Sequence, residues 1–348
     1  MARVGYVFDP VYLEHAAPGH PERPQRLEAI LEHLRRHGLT EELVHLPARD
    51  ASAADLERVH SWEMVAEIRA KADSGGDWLD PDTYIVPSSY AAAVRAVGGC
   101  LAALDAVLGG EMDAAFCLVR PPGHHATPTK AMGFCLFNNV AIAAKVALED
   151  KGLSRVAIVD FDVHHGNGTQ DAFYCDPRVL YFSVHQYPFY PGTGYWAETG
   201  EGDAAGTTVN VPLPRGCRSE EYLRVFRELC APVLRRFRPE LLLVSAGFDA
   251  HFADPLAHML LSARGYYEIA SLLRDLASEL CGGRILFALE GGYDLDALAW
   301  SVRACFDALL DRPFTPDPLG DGPRVPGPDI SVVLAAVKRA HHLDGLAT

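Results

Sequence analysis

Six short apolar runs, rich in β-branched residues, punctuate the chain at 4–8, 114–119, 155–160, 179–184, 241–245 and 284–289. They show little alternation of polar and apolar positions, which is the pattern of strands buried on both faces of a parallel sheet. Longer stretches with helical spacing lie between and beside them, at 24–37, 53–72, 88–108, 138–150, 219–237, 263–281 and 295–310. This alternation predicts an α/β fold with one helix-covered parallel sheet. Six prolines crowd residues 312–329 and separate a body at 1–311 from a last helix at 330–342. So short a helix does not fold alone, so 312–348 is expected to dock as an arm on the same domain.

Composition narrows the classes. The 348 residues carry 31 Lys+Arg against 46 Asp+Glu, a net charge of −15. Nucleic acid and anionic membranes are recognised largely through cations, so neither is an expected partner. With 49% hydrophobic and 22% charged residues, the chain is ordinary globular material and not a disordered one. No apolar stretch is expected to span a membrane, the longest, 98–110, being broken by Asp105. The first ten residues do not read as a signal peptide. Eight cysteines without a C-x-x-C pair read as reduced thiols, which points to a cytoplasmic protein.

The chemistry collects after the strands, where open α/β sheets bind their ligands. Arg120-Pro-Pro-Gly-His-His125 follows one run, Asp160-Phe-Asp-Val-His-His-Gly-Asn-Gly168 the next, then His185, Ala246-Gly-Phe-Asp-Ala-His251 and Glu290-Gly-Gly-Tyr293. If the strand continues past Asp160, then Asp160, Asp162 and His164 share one face while His165 points away. Asp162 and His164 make half of a metal site, and Asp249 is the natural third ligand, leaving an open position of the catalytic type. Each acid alone would serve equally as a helix cap; the cluster favours the metal. His124 and His125 are suited to divide general-acid and general-base work. Tyr293 is placed to donate to an oxyanion. Phe134, Phe189 and Tyr190 are consistent either with ordinary core or with a narrow apolar channel. His341–His342 serves as a contrast: it falls on a helix end expected to be exposed, and no role is assigned to it.

These motifs, together with His20-Pro-Glu-Arg-Pro-Gln-Arg26 and Asp254-Pro255, resemble the zinc-dependent histone deacetylase family, which includes bacterial amidohydrolases and acetylpolyamine amidohydrolases. The resemblance runs from about residue 20 to about 310 and implies the arginase/deacetylase fold, a single α/β domain around an eight-stranded parallel sheet. It implies zinc (Zn2+) on Asp162, His164 and Asp249, with ferrous iron (Fe2+) an alternative for this donor set. It makes His125 the base, His124 its partner and Tyr293 the oxyanion donor. It places Gly133, Phe134, Tyr190, Leu256 and Asp82 around the substrate tunnel, and Asn167 and Arg26 behind the site. Structural potassium (K+) is implied at Asp160, Asp162, His164, Ser183 and Val184, with a second site at Phe173, Asp176 and Val179.

The implied reaction is removal of acetyl or other short acyl groups from lysine side chains of proteins or peptides. An acetylated small amine such as an acetylpolyamine is the alternative substrate. Leu256 stands where polyamine-selective relatives carry an acidic gatekeeper, whereas Asp77, Asp80 and Asp82 form an acidic loop that would suit an amine. A silent acyl-ligand-binding protein is the remote alternative. Arginase relatives hold two metals with a D-x-H-x-D run and a D-x-D pair; here Gly166 and His251 stand in the last positions, so one metal is expected. Homo-oligomers are possible.

Overall fold

A computed structural model describes residues 2–343. Its centre is a sheet of eight strands in the order β2-β1-β5-β10-β9-β6-β7-β8. They are β1 (Val4–Val7), β2 (Val44–Leu46), β5 (Ala114–Cys117), β6 (Val156–Asp160), β7 (Val179–Gln186), β8 (Thr208–Leu213), β9 (Leu241–Ala246) and β10 (Ile285–Leu289). Every pairing is parallel. A two-residue hairpin, β3 (Asp77–Trp78) with β4 (Tyr84–Ile85), stands apart from the sheet. β9 and β10, late in the chain, lie in the middle of the sheet between β5 and β6.

Two helix layers close the faces. α4 (Ser89–Leu108) and α5 (Asn139–Glu149) pack together on one, and α1 (Gln25–Arg36), α10 (Leu295–Leu309) and α9 (Ala263–Cys281) pack in turn on the other. The central strands are buried along their whole length, which explains their unalternating sequence. α4 corrects one expectation. An 18-residue window of it has mean hydropathy 1.7, long and apolar enough by composition to cross a bilayer, but 72% of that window is buried inside the protein.

Two strands escape the sequence pattern. β2 is three residues with two exposed. β8 carries Asn210 and Pro212, and proline is tolerated there because β8 is an edge strand. The stretch 53–72 divides into α2 (Ala53–Leu56) and α3 (Trp62–Asp73) because Ser52 and Ser61 each cap a new start. α6 (Asn167–Phe173) is an additional short helix. α7 (Ser219–Val225) continues through a π-helical turn, Phe226–Cys230, into α8 (Ala231–Phe237).

The 312–329 segment is irregular, and α11 (Ser331–Ala340) packs against β8 and that π-turn. His341, expected on an exposed end, is buried, and Arg236 donates to its carbonyl at 2.5 Å. The ring falls inward because Leu334 and Val337 bury the same side of the helix.

Candidate active site at the carboxyl ends of the strands

The strand does not continue past Asp160. The chain turns instead, with Asp160 Oδ1 accepting the Asp162 N–H at 3.1 Å and Asp162 Oδ1 accepting the His164 N–H at 2.9 Å. The expectation that Asp160, Asp162 and His164 share one strand face is thereby corrected. Asp160 turns to His124 Nδ1 and to the Tyr181 hydroxyl, each at 3.0 Å. His165 does point away, to Thr193 and Gln170.

Asp162, His164 and Asp249 come together so that one donor atom from each lies within 4.8 Å of the others. Asp249 Oδ1 accepts the Val163 N–H at 2.9 Å, while its buried Oδ2 lies 3.1 Å from His164 Nδ1 without a well-directed hydrogen bond. Asp162 Oδ2 accepts the Gly291 N–H at 2.8 Å. Two glycines keep the cradle open: a Cβ on Gly247 would meet Asp162 Oδ2 at 2.0 Å, and one on Gly291 would meet Asp249 Oδ2 at 2.3 Å. Burial disfavours a charged His164, yet Asp162 and Asp249 lift its pKa to about 10. A field that so favours a proton also favours a cation. The orphaned oxygen, the close carboxylates and the glycine cradle therefore fit one divalent ion. His251 stays outside: its Nδ1 accepts the Ala253 N–H, and it is no member of a metal-type cluster among the described residues.

His124 and His125 are both buried, with ring centroids 4.1 Å apart. His125 Nδ1 meets Asn167 Oδ1 at 2.8 Å, so the two tandem rings have different second partners. Burial works against a charged His124, but Asp160, Asp162 and Glu290 overcome it and hold the pKa up at about 10. Burial, then the neighbouring His124 and His164, push His125 well below its ordinary value. A neutral His125 beside a charged His124 is a base beside an acid.

Tyr293 reaches the site from the loop after β10. Burial raises its phenol pKa well above the usual value, so it is a proton donor at neutral pH. The Arg26 guanidinium carbon lies 5.1 Å from its ring centroid, and Arg26 donates to the carbonyls of Gly292 and Glu290.

A cavity of about 240 Å³ descends to these groups and is lined by Asp82, Gly133, Phe134, Tyr190, Leu256 and Tyr293, among others. Gly133, Phe134, Tyr190, Leu256 and Asp82 are all on its wall, whereas Phe189, also considered for the channel, is not among the lining residues. Phe134 sits edge-on to Tyr293 at 5.9 Å, and Tyr190 edge-on to His125 at 5.1 Å. Phe134 holds φ 69 beside Gly133 at φ 57, a left-handed pair that turns the ring inward; its N–H donates to Thr83 Oγ1. Phe189 stacks on His164 at 5.2 Å. A larger cavity, about 650 Å³, lies at the other end of the sheet beside Arg155, Arg236 and His341, away from this cluster.

The residues of the first potassium expectation are neighbours through the register, Asp160 pairing with Ser183 and Val184 following it. Those of the second lie between the end of α6 and the start of β7, where the Asp176 side chain is paired with Lys145 and Arg178.

Sequence reasoning assigned no role to Glu290 or Asp254. Glu290 Oε2 accepts the N–H groups of Gly123 and His124 at 2.7 and 3.2 Å, and Oε1 accepts from Ser245. It also assigned none to Glu22, which is buried between Arg26 and Arg120.

Residues 20–309 match the histone deacetylase domain family. The chain belongs to the histone deacetylase family. This family member is 44% identical over 295 residues to a probable deacetylase of Archaeoglobus fulgidus, covering 84% of this chain and 82% of that one. It is 41% identical over 308 residues to a histone deacetylase-like amidohydrolase of Pseudomonas aeruginosa, covering 88% and 81%. The crystal structure of the HDA15 HD domain superposes with a TM-score of 0.89 at 36% identity, covering 99% of this chain and 95% of that one. The eight-stranded deacetylase fold and the hydrolase class follow for this family member.

Proposed function

We propose that this family member is a zinc-dependent amidohydrolase that removes acetyl or other short acyl groups from lysine side chains. The observation that carries the reading is the cavity, which is lined together by Asp162 and His164 of the Asp162–His164–Asp249 cluster, by His125 and by Tyr293. When bound there, zinc or ferrous iron supplies Lewis acidity toward the amide carbonyl and lowers the pKa of the attacking water.

The chain's own residues do the rest. Phe134 and Tyr190 form the walls that hold an alkyl chain and exclude water, and Leu256 and Asp82 stand at the mouth. Neutral His125, oriented by Asn167, takes the proton from water. Tyr293 donates to the oxyanion as the carbonyl becomes tetrahedral. The charged His124, held by Asp160, provides the proton that the departing amine needs. The products are a short carboxylic acid and a free amine. We assign Asp160, Asp162, His164, Ser183 and Val184 to structural potassium, and Phe173, Asp176 and Val179 to a second, weaker site. All eight cysteines are free thiols, which suits a reducing cytoplasm.

The test is an acyl panel on zinc-loaded enzyme. Acetyl-lysine peptides are expected to turn over, and a chelator or His125→Ala to abolish activity. Tyr293→Phe is expected to lower kcat by roughly 10²–10³-fold with little change in KM. Preference for N-acetylputrescine would move the substrate to polyamines, with Asp82 facing the second amine. Inactivity of fully loaded enzyme on the whole panel would overturn the reading.

A further inference from the structure

Asp254 is buried, and it is neither a member of the metal-type cluster nor itself a lining residue of the cavity. Its carboxylate is spent entirely on main-chain donors. Oδ2 accepts the N–H of Tyr293 at 2.7 Å and that of Asp294 at 3.4 Å, and Oδ1 accepts the N–H of Leu256 at 2.9 Å. One side chain thus ties three backbone positions on two separate loops.

The tie matters because of what else holds Tyr293. Its ring meets Phe134 edge-on at 5.9 Å and lies under the Arg26 guanidinium, whose carbon is 5.1 Å from the ring centroid. Gly292, just before it, has φ 114, a backbone conformation that favours glycine. Asp294, just after it, is the N-cap of α10, its side chain accepting from Ala297. Between that glycine, held through its carbonyl by Arg26, and the helix start, the Asp254 carboxylate is the acceptor of the Tyr293 N–H itself and so fixes where the Tyr293 main chain sits. Leu256, on the cavity wall, is held by the other oxygen.

We propose that Asp254 is a positioning residue that holds the Tyr293 phenol and the Leu256 gate as one unit, so that tunnel mouth and oxyanion donor keep a fixed spacing. The inference rests on the deacylase reading above. Its effect on kcat is assigned to Tyr293, the Leu256 tie bearing on the tunnel mouth, and this distinguishes it from general support of the fold.

The test is a double-mutant cycle on zinc-loaded enzyme with an acetyl-lysine peptide, with zinc content and melting temperature measured on each variant. Asp254→Ala is expected to lower kcat by roughly 10²-fold, the cost of about 1 Å misplacement, with KM within about threefold and zinc stoichiometry unchanged. The double variant Asp254→Ala/Tyr293→Phe is expected to be no slower than Tyr293→Phe alone, because two residues acting through one interaction are not additive. Asp254→Asn keeps one acceptor and is expected to fall between wild type and Asp254→Ala. Full additivity in the cycle, or zinc loss that accounts for the lost rate, would overturn the proposal. Should Asp254→Ala not fold, the cycle is run with Asp254→Asn and judged the same way. If wild type is inactive on all acyl substrates, the deacylase reading falls first, and that result is read before any variant.

Discussion

Glu290 shows how a residue with no place on the cavity wall can still govern the site. It is fully buried, and its carboxylate fastens the backbone of Gly123 and His124, the residues that deliver the tandem histidines. Glu290→Ala is expected to lower kcat by roughly 10²-fold through misplaced imidazoles, with zinc binding retained; steady-state kinetics with metal analysis checks it. The histidines, the ligand carboxylates and Tyr293 were legible in the sequence because their side-chain chemistry is distinctive and several strand ends repeat it. Glu290 and Asp254 were not, because a carboxylate that accepts backbone N–H groups is indistinguishable, in sequence, from any capping acid. Glu22 is hidden similarly: its partners Arg26 and Arg120 are 4 and 98 residues away. Burial opposes its ionisation, but Arg120 and Arg26 hold its pKa down at about 2 against an ordinary 4.5. That stability is present above about pH 4.5 and is lost as pH falls toward 2. It amounts to about 3 kcal/mol, and should be absent from the acid limb of unfolding curves of Glu22→Gln.

At the scale of elements, the unalternating strands and long helices were read correctly, since a fully buried strand advertises itself by its apolar run. The edge strands were not, because an edge strand tolerates exposed and ring-locked residues that resemble loop. The turn after Asp160 was read as strand because nothing in residue identity distinguishes a chain that extends from one that bends onto its own carboxylates. α6 supplies an element-scale test. A Cβ on its Gly168 would lie 2.2 Å from the Ala126 carbonyl oxygen and 2.7 Å from the His125 carbonyl carbon. Neither atom can move without the tandem-histidine loop moving. Gly168→Ala is expected to cost about 1–3 kcal/mol by overpacking and to depress kcat; denaturant unfolding and kinetics together check it.

The whole molecule carries an acid liability. Burial pushes His15 down to about 3 and His60, His185 and His251 to about 4, below the ordinary 6.5. The unfolded chain binds protons that the folded one refuses, so stability present above pH 6.5 is lost as pH falls toward 4. Each histidine contributes a slope of about 1.4 kcal/mol per pH unit in that window. Asp254 and Glu290, raised by burial to about 7, and His124 and His164, held up at about 10 against burial by neighbouring carboxylates, oppose the trend, while His33 and His341, lowered to about 4, and His125 and His165, pushed well below the ordinary value, add to it. The urea midpoint of metal-free protein is therefore expected to fall between pH 7 and pH 5, and His60→Gln to flatten the fall. The net charge of −15 also looks different at this scale, since Asp160, Asp162 and Asp249 are buried and belong to the site, not the surface.

Because β9 and β10 occupy the middle of the sheet between β5 and β6, the order of synthesis runs against the order in space. A nascent chain that has emerged only through β8 holds the two outer portions of the sheet with a gap where Asp249 and Tyr293 belong. The gap is filled only when the last two strands slot in. Hydrolytic capacity therefore appears at one late moment, and a ribosome-released fragment ending before residue 285 would display unpaired strand edges to the cell's quality control without ever having been an enzyme.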